Sequence, residues 1–239
     1  MPQAKTLTQA EQEKLLAYIA SKPNALRNRV MLLLTMWAGF RVGEVAGLKI
    51  SDVRNADGSL TVTPAVVSDY DLRGISQTAK DPAFQLGATY THDSGFYVSG
   101  WASNLNFGLG NKDPDGELDL VGGYAWGDAK GKGAFDAGVI YYTYVGRSDF
   151  DYPEVYLGYT KDWFNAKAFY SWDFGGTGST AWYLTTTGTF PLPSDFALVA
   201  HAGYSTGDYW DKNYGGGYVD WSVGVTKAIG KFTVGLSFI

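Results

Sequence analysis

From Leu60 to Ile239 apolar side chains fall on every second position, and this period of two is what most limits the folds open to the chain. Successive side chains of an extended strand point to opposite faces, so each strand carries one apolar face and one that is not. The pattern is explicit in Phe84, Leu86, Ala88 and Tyr90, which alternate with Gln85, Gly87 and Thr89. It recurs in Leu118, Leu120, Gly122 and Tyr124, against Glu117, Asp119 and Gly123. Phe164, Ala166, Ala168 and Tyr170 repeat it, as do Phe196, Leu198, Ala200 and Ala202, then Val219, Trp221, Val223 and Val225, and finally Phe232, Val234, Leu236 and Phe238. The spacing predicts about eleven strands of roughly nine to eleven residues, a length that crosses a bilayer at a tilt.

Up to about Asp57 the apolar spacing is helical instead, and the change falls near Ser59. Thr8 and Glu11 form a capping box, Leu15, Leu16 and Ile19 a stripe, and Val30, Leu33, Leu34 and Trp37 a second one. The charge balance changes at the same place. Residues 1 to 58 carry 8 Lys and Arg against 5 Asp and Glu, a net of +3; the remainder carry 11 against 19, a net of −8. Two units are therefore expected, a short α-helical segment over 1–58 and a β domain over 59–239. The first 58 residues lack the charged, apolar and small-residue succession of a secretory signal, since Gln9 to Lys14 is polar.

Period two alone leaves open whether the apolar face points inward, as in a soluble barrel, or outward, as in a membrane barrel. The opposite face is rich in Gly, Ser, Thr and Asn rather than Lys and Glu, which suits an interior and not a solvated surface. Aromatics collect at strand ends (Tyr90, Trp101, Tyr124, Trp126, Trp163, Trp172, Trp182, Tyr204), where interfacial girdles sit. Long, polar connections are expected over 104–116, 125–133 and 205–217, and tight ones at 160–163 and 191–195. The expected fold is mainly β: an antiparallel, up-and-down, transmembrane-type β-barrel of about eleven to twelve strands, after a short helical segment. Its partners would be outer-membrane lipid and small solutes; nothing in the sequence sets an oligomeric state.

Two resemblances bear on function. The run from Ala38 to Val53, with Gly39, Arg41 and Glu44 in a G-x-R-x-x-E pattern, resembles the first signature box of the tyrosine recombinases, or phage integrases. It implies that Arg41 is the arginine that contacts a scissile phosphate, with Glu44 supporting the fold around it. After Gly58, however, there is no H-x-x-R box, hairpin lysine or nucleophilic tyrosine in context. His92 and His201 are the only histidines, and Gly95 and Tyr204 stand where the arginine would be. The segment thus reads as a recombinase fragment without catalysis, and DNA is not an expected partner; DNA recombination is the alternative reading that it supplies.

The second resemblance covers essentially all of 60–239. Val67 to Thr78, Ser94 to Asn104, Glu117 to Tyr124, Gly138 to Tyr144, Pro191 to Phe196 and Gly207 to Trp210 are together similar to the TorF family of porin-type proteins of proteobacteria. The resemblance implies a β-barrel of about twelve strands in the outer membrane of a Gram-negative bacterium, for a chain that is exported. It also implies a signal peptide where the recombinase-like piece stands, and a further strand after Ile239, so that the join near Ser59 reads as a break point.

On the strand reading, Asp69, Asp71 and Arg73 share one face of the first strand, opposite Tyr70 and Leu72. With Tyr70 and Leu72 toward lipid, these three point into the lumen with Glu117, Asp119, Asp136, Glu154, Lys167 and Asp220. Seven acids against two bases favour cations; the same charges can also pair and fill a narrow barrel. A soluble ligand-binding barrel is a further alternative.

No enzyme is expected. Gly203-Tyr-Ser-Thr-Gly207 matches the nucleophile-elbow pattern with His201 before it, but residues 208–217 are read as a loop, not the helix such an elbow needs. Gly127 to Gly133 is one residue short of a phosphate loop. No cofactor motif and no metal-ligand spacing is present, His92 and His201 standing apart from each other and from any paired carboxylates.

Overall fold

A computed structural model describes residues 58–239 of the chain; the expected helical segment, with Arg41 and Glu44, lies outside the described residues apart from Gly58. The described part is mainly β, and the period-two stretches become its strands: β1 (Gly58–Val67), β2 (Asp71–Leu72), β3 (Ile75–Ser76), β4 (Ala83–His92), β5 (Phe96–Ser103), β6 (Gly116–Asp128), β7 (Gly133–Val145), β8 (Tyr152–Lys161), β9 (Phe164–Ser171), β10 (Ala181–Leu192), β11 (Phe196–Thr206), β12 (Tyr218–Ile229) and β13 (Phe232–Phe238). One seven-residue helix, α1 (Asp208–Tyr214), lies between β11 and β12.

Eleven of these strands form one antiparallel sheet in the order β1-β4-β5-β6-β7-β8-β9-β10-β11-β12-β13, each paired with its neighbour in sequence. Such a meander needs only tight turns or loops between neighbours. The connections divide cleanly by end. At one end they are short (93–95, 129–132, 162–163, 193–195, 230–231); at the other they are long (68–82, 104–115, 146–151, 172–180, 207–217). Residues 125–133 are not the long loop their glycines suggest. Ala125 to Asp128 continue β6, paired with Asp136 to Gly133 of β7, which leaves a four-residue turn at the short end. Residues 208–217 also differ from expectation, because α1 forms there and ends on Gly215 in the left-handed region (φ 77°). With an odd number of strands, edge strands β1 and β13 run in the same direction, and the sheet order does not pair them.

Which face is covered is unambiguous. Leu157 is 53% exposed and Phe84 69%, and Leu86, Val98, Leu120, Val139, Leu184, Val219 and Val223 are exposed with them. The buried set is instead Glu117, Asp119, Glu154, Asp220, Ser103, Ser171 and Ser205, with Tyr142, Tyr144, Tyr152, Tyr156 and Tyr183. Tyr142, Tyr144 and Tyr152 form the centre of this core, flanked by Leu105, Phe107, Phe150 and Phe174. Trp101 belongs to this inner face and not to an outer girdle, since its ring meets Tyr70 edge-on at 5.2 Å.

Inward-facing glycines make room for the tyrosines. A Cβ on Gly138 would stand 2.6 Å from Oη of Tyr156, its direct cross-strand partner on β8. Glycine there lets the ring lie flat across the neighbouring strand. Gly138→Val is therefore expected to displace Tyr156 and destabilise the fold by roughly 1–3 kcal/mol, measured as a shift in denaturant midpoint against Val139→Ala on the opposite face.

Candidate functional site

The connection 68–82 folds against the inner face, and this is the main departure from the strand reading. β1 ends at Val67, and β2 and β3 form a separate two-stranded hairpin, with Leu72 opposite Ile75. Arg73 (φ 57°) and Gly74 (φ 79°) both lie in the left-handed region, as a two-residue type I′ turn requires. Asp69, Asp71 and Arg73 thus do not share a face of the first strand, and Tyr70 is buried rather than outward. The alternation of Tyr70 and Leu72 with charged residues is common to a continuing strand and a tight hairpin, so the period could not separate them.

The hairpin is tied internally and to the sheet. The Ser76 hydroxyl donates to Asp69 at 2.6 Å, the Tyr70 amide donates to Thr78 Oγ1 at 3.1 Å, and the Gly74 amide donates to Asp71 at 2.7 Å. Burial raises the Asp71 carboxyl above the ordinary aspartate range, against the opposing pull of that Gly74 amide. At the tip, both guanidinium NH2 groups of Arg73 donate to Glu154 of β8, at 2.9 and 2.6 Å. The Glu154 residue is 1% exposed and also accepts from the Tyr142 hydroxyl at 3.1 Å. The Arg73 guanidinium carbon lies 4.5 Å from the Tyr183 ring centre and 5.3 Å from that of Phe169. The Tyr218 hydroxyl of β12 donates to the Arg73 carbonyl at 2.9 Å. One turn therefore touches β8, β9, β10 and β12, so the sheet curls around it.

The other charged positions group by height. Toward the short-turn end, Lys167 pairs with Asp136 at 2.8 Å, and the Tyr97 hydroxyl, itself bonded to that of Tyr156, donates to Asp136 at 2.6 Å. Asp220 pairs with His201 at 2.9 Å and accepts from the Tyr183 hydroxyl at 3.1 Å. His201 thus meets one carboxylate, that of Asp220, and it is an inner-face residue outside the nine predicted positions, as are Tyr97, Tyr142, Phe169 and Tyr183. Its signal was available, because His201 alternates with the apolar run of β11. Glu117 and Asp119, neighbours on one face of β6, are buried without a cationic partner, and neither Glu117 oxygen has a hydrogen-bond partner.

Of the nine sequence-predicted positions, the structure brings Arg73 to Glu154 and Lys167 to Asp136, joins Asp220 to His201, and leaves Glu117, Asp119, Asp69 and Asp71 as uncompensated acids. A cavity of about 500 Å³ lies beside the hairpin tip, bounded by Asp71, Arg73, Tyr183, Thr185, His201 and Asp220. Ser205 is fully buried within β11, four residues from His201 along the strand, and the His201 ring bonds to Tyr183, Thr185, Thr187 and Asp220 rather than to it. Among the described residues no group of three His, Cys, Asp or Glu could hold a metal ion, and no helix is long and apolar enough to cross a membrane.

Two family models match the sequence. One, described as a bacterial protein of unknown function (Gcw_chp), matches residues 54–239; the other, the phage integrase family, matches residues 5–80. Their overlap at 54–80 holds β1 and the hairpin, which pair with and pack on the sheet. No curated protein and no solved structure matches the chain.

Proposed function

This chain belongs to the Gcw_chp family of bacterial proteins of unknown function, and we propose that its sheet is a transmembrane β-barrel of outer-membrane, porin type. In this reading it is a conduit for small cations, narrowed by the hairpin at residues 68–78, and it has no enzymatic activity. The observation that carries the reading is the inversion of burial: charges and tyrosines fill the inside while leucine, valine and phenylalanine cover the outside. Water does not favour such an exterior, and lipid does. Short turns at one end and long loops at the other, with stacked outer rings such as Tyr124, Trp126 and Phe135 near the turns, support it. A soluble ligand-binding barrel would need the opposite arrangement. The integrase-like segment is proposed to add no recombinase activity, since Arg41 has no H-x-x-R box or nucleophilic tyrosine to act with.

Cation preference follows from pairing. After Arg73 and Lys167 are matched to Glu154 and Asp136, the inner ionisable groups that remain are, His201 and the tyrosines aside, carboxyls. Reconstituted into planar bilayers across a potassium chloride gradient, the full chain is expected to show a small conductance with a reversal potential of cation sign. Anion selectivity, or no conductance even from a variant lacking residues 69–78, overturns the proposal.

A further inference from the structure

We propose that the cage around Arg73 is a solute site for a small guanidinium-bearing cation, and that Arg73 is a tethered competitor that the free solute displaces. The inference rests on the porin reading and adds a ligand class to it. Three observations carry it. First, the cage has the parts that a guanidinium needs: a buried carboxylate that accepts from two NH2 groups, and two aromatic faces, Tyr183 and Phe169, within 6 Å. Second, the group that fills it is carried by a small element. The hairpin has two residues per strand, too few to be stable alone, and carries a non-glycine residue at positive φ at its tip. A buried ion pair is also a poor source of net stability compared with apolar packing, whereas exchangeable pairing is what a switch uses. Third, Arg73 and the two rings that hold it, Tyr183 and Phe169, line the cavity of about 500 Å³, within the range of small-molecule sites, so that movement of Arg73 would open Glu154 to it. Asp220 lines that cavity and is 8% exposed, its Oδ1 held by the Tyr183 hydroxyl and the His201 ring.

Displacement is simple exchange: the Arg73 guanidinium leaves Glu154 for water, and the solute guanidinium takes the same two hydrogen bonds. No covalent step is involved, and the net interior charge changes only by the solute that enters.

The test uses the full chain in detergent with Arg73→Ala, and with Arg73→Gln as a variant that retains a long polar side chain where alanine impairs folding. Methylguanidinium is expected to raise the melting temperature of the variant saturably, and tetramethylammonium, which stacks on rings but cannot donate, to bind about ten- to hundredfold more weakly. Glu154→Gln introduced with Arg73→Gln is expected to abolish the difference. In bilayers, methylguanidinium is expected to increase the open probability of the wild-type protein above that in equimolar potassium. Equal binding of the two cations, or discrimination that survives Glu154→Gln, overturns the site. Binding without any conductance from the hairpin-free variant would overturn the porin reading and leave the guanidinium cage standing. Conductance with no discrimination between the cations would do the reverse.

Discussion

Leu157→Arg is expected to cost ~2–4 kcal/mol of folding free energy in lipid, the price of a charge near the bilayer midplane. Leu157 lies in the middle of β8, between Tyr156 and Gly158, and points away from the buried face, where it is half exposed. In water the same substitution would replace an exposed apolar side chain with a soluble one, and a surface change of that kind stays within about ±0.5 kcal/mol. One substitution therefore separates a lipid-facing from a water-facing exterior by several-fold in magnitude. The measurement is denaturant-induced unfolding from short-chain phospholipid vesicles, beside Thr177→Arg in the 172–180 connection as a control outside the apolar belt. A loss for Leu157→Arg no larger than the control's would sink the membrane reading, however well the strands are formed.

The period-two pattern made the strands and their outward residues legible because it is a property of the strand itself. Phe84, Leu86, Leu120, Leu157, Val219 and Val223 all stand on the exposed face that the alternation assigns them. Alternation says nothing of where a chain reverses, so it does not disclose the hairpin. Val67 to Arg73 alternates correctly whether it continues β1 or turns inward, and the discriminating signal was two residues long: Arg73-Gly74, suited to a turn with positive φ at both positions. The same limit explains residues 125–133, where the glycines weigh more than Trp126 and Asp128 in a composition reading and less in the ladder. Trp101 shows a third limit. It sits near a strand end, as a girdle residue should, but its parity puts it on the face of Tyr97 and Ser103, so parity was the better guide.

For the charges, the sequence identified the residues but not their pairing. Glu154 and Arg73 are 81 positions apart and meet only because the hairpin reaches across to β8. Asp220 and His201 lie diagonally across β11 and β12, where His201 is opposite Ser222 and Gly203 opposite Asp220. That neighbourhood follows from register, and register is fixed by the turn at 207–217, whose helix the loop-like sequence did not disclose. The two networks differ in consequence. The Asp220 and His201 pair belongs to adjacent strands that hydrogen-bond regardless, whereas the Arg73 and Glu154 pair joins two elements with few other ties.

Glu154→Ala should accordingly act on the hairpin more than on the sheet. If the hairpin stayed in place, the Arg73 guanidinium would remain buried with no anion, a loss on the order of 3–5 kcal/mol for a broken buried pair. What else holds it is the hydrogen bond from Tyr218 to the Arg73 carbonyl, about 0.5–1.5 kcal/mol, the Tyr183 and Phe169 faces against Arg73, the backbone bond from the Asn106 amide to the Gln77 carbonyl, and the Tyr70 contact with Trp101. Release of the tip alone removes the burial penalty, loses the Tyr218 bond and the two aromatic faces, and keeps the Tyr70 and Asn106 ties at the base of the hairpin, so release of the tip is the cheaper path. The expected result is a trypsin cut after Arg73, whose side chain is 7% exposed in the intact protein, with the eleven-stranded sheet still folded and resistant. Glu154→Gln, which keeps a neutral acceptor, should be cut more slowly than Glu154→Ala and faster than wild type. A hairpin as protected in Glu154→Ala as in the wild type would mean that Tyr70, Trp101 and Tyr218 hold it unaided, and that the ion pair is not its latch.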